Sequence, residues 1–139
     1  MAEGNGQEVA WLEEFVAQIR ALHERILSES GGSAGEHTTL LFASCARPFQ
    51  SAFGEELFKT DFEKAAALLH GIITSHVFVD GNKRTAILAA ILFLASSEQI
   101  PDAPSALQVR MLGELAVAVA SSKMTVDEVA DWLRRILER

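Results

Sequence analysis

The feature that most constrains the fold is a short polar interruption between two apolar stretches. Upstream, Phe62, Ala65, Leu69, Ile72 and His76 recur three and four residues apart, the period of one helix face. Downstream, residues 85–94 are apolar at nearly every position, the pattern of a helix buried on most sides. A polar loop between two buried helices follows from this arrangement. His76 is expected to continue the inward face at the end of the first helix. Asp80 stands where the N-cap of the second belongs. Gly81 lets a ligand approach the backbone closely. The N–H groups after it, free at a helix start, attract anions and above all phosphate. Lys83 and Arg84 add positive charge, and an Arg can grip phosphate through two parallel hydrogen bonds. Asn82 can cap the helix or touch phosphate, and phosphate contact is the preferred reading. Beside bound phosphate, Asp80 can hold Mg²⁺ as one of few protein ligands. Imidazole suits base chemistry near neutral pH, which makes His76 the candidate base. Phe78 reads as a core anchor for the loop.

The rest of the chain reads as further helices. Residues 1–7 are Gly-rich and polar and are expected to fray. From Glu8 to about Leu27, Leu12, Phe15, Val16, Ile19, Leu22 and Ile26 keep the helical period. His23 on that helix is expected to be structural or on the surface. Residues 28–35 form a loop rich in Ser and Gly. A short helix over Thr38–Ala46 follows, limited by Pro48. Residues 49–60 have no clean period, and Gly54 marks a turn. On the residues alone this is a loop whose Phe53 and Phe58 plug into the core. Thr60 or Asp61 caps the helix that leads to His76, and His70 on it reads as structural or rim. The apolar helix ends near Ser96 and Ser97. A further helix over residues 105–120 carries Leu107, Met111, Leu115 and Val119 four apart. The last starts at Thr125 with Glu128 in a capping box. Val126, Val129, Leu133 and Ile136 make its inner stripe, flanked by Trp132. No strand is expected. The sum is an all-α fold of about six helices around a central hydrophobic one, in a single domain over residues 1–139.

Composition narrows the function classes. Nineteen acidic side chains stand against twelve basic ones, for a net charge of −7 over 139 residues. A general nucleic-acid binder would be basic, so nucleic acid is not an expected partner. Apolar residues make up 49% of the chain, enough for a sizeable core. Cys45 is the only cysteine, which excludes an internal disulfide and a multi-cysteine metal site; a buried thiol is expected. His23, His37, His70 and His76 make no zinc pattern, and no phosphate-binding glycine loop of the Walker type occurs. The first residues do not resemble a signal peptide, and the longest apolar stretch is too short to span a bilayer. A cytoplasmic protein with no membrane partner is expected.

The string His-x-Phe-x-Asp-Gly-Asn-Lys-Arg-Thr-Ala over residues 76–86 resembles the signature of the Fic/Doc family. Within it, the chain is most similar to the Doc, or death-on-curing, branch of toxin–antitoxin toxins. Gly31-Gly32-Ser33-Ala34-Gly35, Ala46-Arg47-Pro48, Phe62-Glu63-Lys64-Ala65 and Leu92-Phe93-Leu94 also stand where Doc-like chains have similar segments. The resemblance covers roughly residues 8–138. Val77 replaces the Pro common after the histidine. Adenylyl-transferring Fic enzymes read Gly-Asn-Gly-Arg with a second Arg three residues on. Lys83 and Ile87 stand at those positions here, which favours the Doc branch. Where many Doc-like chains carry an Arg-Asp or Ser-Asp pair, this one reads Glu36-His37-Thr38-Thr39.

The resemblance implies a mechanism. His76 would be the base, Asp80 the Mg²⁺ ligand, and Gly81, Asn82, Lys83 and Arg84 the phosphate site. ATP would be the co-substrate, and a phosphoryl group would pass to a hydroxyl of a protein target, with elongation factor Tu implied. The alternatives are adenylyl transfer (AMPylation) and a non-catalytic partner-binding module. Residues 49–60 would form a flap that docks the target. Self-inhibited Fic relatives carry a Ser/Thr-x-x-x-Glu-Gly/Asn helix, and this chain has no such string. The implied partner is therefore a small antitoxin with a helix-forming tail.

Overall fold

The computed structural model describes residues 2–138, and for residues 2–8 the backbone alone. Met1 and Arg139 lie outside the described residues. Six α-helices carry the fold: α1 Ala2–Ser30, α2 Thr38–Ala46, α3 Asp61–Thr74, α4 Asn82–Ser96, α5 Ala106–Ser121 and α6 Val126–Leu137. The all-α expectation holds, with one small addition. Ser51–Ala52 (β1) and Glu55–Glu56 (β2) pair as an antiparallel hairpin.

Local chemistry sets most helix boundaries. Thr60 caps α3, its Oγ1 accepting from the Glu63 N–H at 3.1 Å. The expected capping box of Thr125 and Glu128 opens α6, and a second box, Ser105 with Gln108, opens α5. His37 caps α2 through Nδ1, which accepts from the Leu40 N–H at 3.3 Å. The backbone of α1 is helical from Ala2, six residues before the start that the apolar period marks.

Helix α3 is the centre of the bundle and packs against α2, α4, α5 and α6. Ala65, Ala66, Leu68, Leu69 and Ile72 are fully buried along it. Val129, Leu133 and Ile136 bury as expected on α6. On α5 the stripe differs. Leu107 is exposed, and Leu112, Leu115, Ala116 and Val119 face the core. Residues four apart drift about 40° around a helix per step, so a four-residue spacing cannot stay on one face for three steps.

The hairpin corrects the reading of residues 49–60. Phe53 and Gly54, at φ 53° and 80°, form its two-residue turn, both left-handed as in a type I′ turn. Phe53 is fully exposed at the tip and not in the core. Phe58 is half-buried, with the Arg47 guanidinium 5.9 Å from its ring centre. Lys64 on the first turn of α3 anchors the hairpin, pairing with Glu56 at 3.2 Å and donating to the Phe58 carbonyl. That anchor lies about 15 Å along α3 from the end that carries His76.

Candidate active site

The site is built where α3 ends and α4 begins. Ser75 closes α3. The His76 N–H then donates to the Ile73 carbonyl at 3.3 Å, and the Val77 N–H to the Ile72 carbonyl at 3.5 Å. This is the Schellman pattern, whose left-handed position usually holds Gly. Here it holds His76, at φ 48°. The turn swings His76 out of the inward stripe, so the imidazole is exposed and not on the buried face that the period implies. Its ring makes no hydrogen bond among the described residues, which leaves both nitrogens open to solvent or substrate.

Residues 77–79 then run as a short extended segment held on both edges. On one edge the His37 N–H donates to the Val77 carbonyl at 2.7 Å, and the Val79 N–H to the Gly35 carbonyl at 3.0 Å. These two bonds flank an antiparallel bridge between Glu36 and Phe78. In such a pair the backbone groups of Phe78 point to the opposite edge. Asn82 meets them there: its Oδ1 accepts from the Phe78 N–H at 2.9 Å, and its Nδ2 donates to the Phe78 carbonyl at 2.7 Å. Asn82 therefore braces the loop, and its amide is not turned outward for phosphate. Gly35 permits the close pairing, since a Cβ there would come within 2.8 Å of Val79 Cγ2.

Helix α1 roofs the loop. The His23 ring stacks on Phe78 with centroids 3.8 Å apart. A carbonyl can only accept, so His23 Nε2 carries a proton and donates to the Asp80 carbonyl at 2.7 Å. His23 is buried, a structural role as expected. Phe78 is the buried anchor that the sequence indicated.

Asp80 is not the N-cap of α4. Its Oδ2 accepts from the Ser33 N–H at 2.7 Å, which pulls the carboxylate toward the glycine-rich turn. Gly81 takes the cap position at φ 84° and supplies no capping side chain. The first helical bond is Thr85 N–H to the Gly81 carbonyl at 3.0 Å, so the N–H groups of Asn82, Lys83 and Arg84 have no helical acceptor. Lys83 and Arg84 are exposed and form no ion pair among the described residues. Two cations at a helix N-terminus oppose its dipole, and a bound anion removes that conflict. Asp80 is exposed, and its Oδ1 makes no hydrogen bond among the described residues. No cluster of three metal-ligating side chains occurs among them. The arrangement fits Mg²⁺, which is commonly held by one carboxylate together with substrate phosphates.

Side chains remote in sequence complete the site. Arg20 on α1 donates to Glu36 through Nε and Nη2, each at 2.6 Å. The Thr38 hydroxyl donates to the same carboxylate at 2.8 Å. The Arg20 hydrogen bond, ahead of the one from Thr38, holds the Glu36 carboxyl down at about 2. Sequence reasoning assigned Arg20, Ser33 and Glu36 no role in the site, although Ser33 and Glu36 stand in segments it singled out. One signal was available for His23: a polar residue on the apolar stripe of Val16, Ile19 and Ile26. Ile87 is buried in the core, as the spacing indicated.

Comparison with known proteins agrees with this geometry. The Fic/DOC family matches over residues 11–94, which include the whole loop. Protein kinase doc of Escherichia phage P1 is 32% identical over 120 residues, 86% of this chain and 90% of that protein. Toxin Doc of Mycolicibacterium smegmatis is 47% identical over 55 residues, 40% of this chain and 42% of that one. A chain matched over this much of its length, with the signature loop built at the junction of α3 and α4, belongs to the Fic/Doc family, on its Doc side.

Proposed function

We propose that this chain is a Doc-like toxin enzyme that transfers the γ-phosphoryl group of ATP to a hydroxyl of a protein target, with elongation factor Tu as the first candidate. One observation carries the reading. The start of α4 presents N–H groups and two cations that have no partner among the described residues, and the exposed His76 and Asp80 stand on the loop that leads into it. That combination suits a polyphosphate with its transferable group turned toward a base. In this reading the backbone of residues 81–84, with Lys83 and Arg84, binds the phosphates. Asp80 holds Mg²⁺, which when bound offsets charge on the phosphate oxygens. His76 takes the proton from the attacking hydroxyl, and ADP leaves.

Adenylyl transfer is the second reading. A second Arg to hold the outer phosphates would stand at position 87, and Ile87 is a core residue, which favours phosphoryl transfer. The name of the phage relative, Protein kinase doc, points the same way. A small antitoxin whose tail folds as a helix on the toxin is the proposed inhibitor, and the cytoplasm the proposed site of action. No helix among the described residues is long and apolar enough to cross a membrane. The test is the intact mass of elongation factor Tu after incubation with the chain, ATP and Mg²⁺. A gain of one phosphate is the expected result. A gain of one AMP replaces this reading with the second. An unchanged mass while the chain still binds ATP moves the target elsewhere.

A further inference from the structure

We propose that Arg20 and Glu36 are positioning residues for the transfer step: their paired charges let α1 hold the loop that presents His76 and Asp80. The inference rests on the function proposed above. Neither residue lies on α3, α4 or the loop between them, and neither touches His76 or Asp80 by any hydrogen bond among the described residues.

The coupling runs along the backbone. Glu36 is the middle residue of the segment that pairs with residues 77–79. The two hydrogen bonds flanking it end at the Val77 carbonyl and the Val79 N–H. Val77 follows His76 directly and Val79 precedes Asp80 directly, so each functional residue is the chain neighbour of one flanking bond. The segment has little stiffness of its own. Gly31, Gly32 and Gly35 all have positive φ, and residues 31–35 belong to no helix. Its position against the loop depends on its ties: the Ser33 N–H to Asp80, the start of α2, and Arg20. Arg20 supplies the tie at the centre, with two parallel bonds that fix both distance and orientation. The Glu36 side chain is only 20% exposed against 39% for Arg20, so the pair is screened less than an open surface bridge. Arg20 and His23 stand three apart on α1, so one stretch of that helix grips both the segment and the loop.

The test compares Glu36→Gln, Arg20→Met and the double variant with the unsubstituted chain. Amide hydrogen exchange at His37 and Val79 is read against core amides of α5 and α6 as internal controls. In each single variant those two amides are expected to exchange ~10-fold faster while the controls stay unchanged, a local opening and not a global one. With ATP and target, kcat is expected to fall ~10-fold or more, because a base or metal ligand displaced by a fraction of an ångström loses rate steeply. KM for ATP should stay within ~3-fold, since the α4 donors are held by the helix itself. The double variant should be no worse than either single, as expected of residues that act through each other. Unchanged exchange at His37 and Val79, equal speeding of the control amides, or an unchanged kcat would each overturn the proposal. If the unsubstituted chain transfers nothing, the proposed function falls, and the exchange result decides the clamp by the same criterion.

Discussion

His76 holds a backbone conformation that its side chain does not favour. A non-glycine residue in the left-handed region costs roughly 1 kcal/mol or more, and the helix end that His76 closes would ordinarily use Gly. The imidazole makes no compensating hydrogen bond among the described residues. His76→Gly is therefore expected to stabilise the fold by ~1 kcal/mol while abolishing transfer. Urea titration measures the first effect and the elongation factor Tu assay the second. A destabilised glycine variant would mean that the ring makes native contacts of its own. Asn82 is the counterpart at this scale. Read from sequence as a phosphate contact, it uses its amide on both backbone groups of Phe78. An amide facing both backbone groups of one residue is a brace, and brace and ligand are indistinguishable in a one-dimensional motif.

At the scale of elements, α3 is tied sideways by a histidine that the proposed chemistry does not use. Arg47 can only donate, so its Nη1 donates to His70 Nδ1 at 2.9 Å, and the opposite nitrogen donates to the Met124 carbonyl at 3.1 Å. His70 thus links α3 to the turn after α2 and to the connection between α5 and α6, and it does so as the neutral ring. Burial pushes its pKa below the ordinary 6.5, the nearby Arg47 charge pushes the same way, and the Met124 carbonyl opposes them. Between that lowered value and 6.5 the unfolded chain binds more protons than the folded one. Stability is then complete above about 6.5 and is lost as pH falls through the window below it. Urea midpoints between pH 7.5 and 5.5 should fall with pH, and His70→Gln should flatten the slope. Equal slopes in the two proteins would sink the assignment.

At the scale of the whole molecule, the candidate site and a second cavity occupy opposite ends of α4. Phe93, Ser96 and Ser97 at the far end help line a cavity of about 490 Å³, with Trp11, Phe15 and Lys64 among its other walls. The loop and that cavity are separated by about 20 Å of helix. Residues 1–139 contain no inhibitory string of the Ser/Thr-x-x-x-Glu-Gly/Asn kind, which suits the proposal of a separate small antitoxin. Expression in a bacterium without a cognate inhibitor is expected to slow growth, and His76→Ala to relieve it, with culture density as the readout. Vigorous growth with the intact chain at high level would count against the toxin reading.

The sequence by itself determined the helices and the place of the polar loop between two of them. Caps, period and apolar runs act within about one helical turn, so Thr60, Thr125 and the span of α2 were legible from neighbours alone. So was the burial of Ile87, and so was the grouping of His76, Asp80, Lys83 and Arg84 in one short stretch. Tertiary structure decided how that set is held. Asp80 fails to cap α4 because Ser33, 47 residues away, takes its carboxylate, and His23, 57 residues away, takes its carbonyl. Arg20 reaches Glu36 only because α1 lies across the segment before α2. The hairpin escaped the periodic reading because strands of two residues carry no period. Periodicity reports the face a residue turns to the core, whereas hydrogen-bond partners across long loops depend on where whole helices pack.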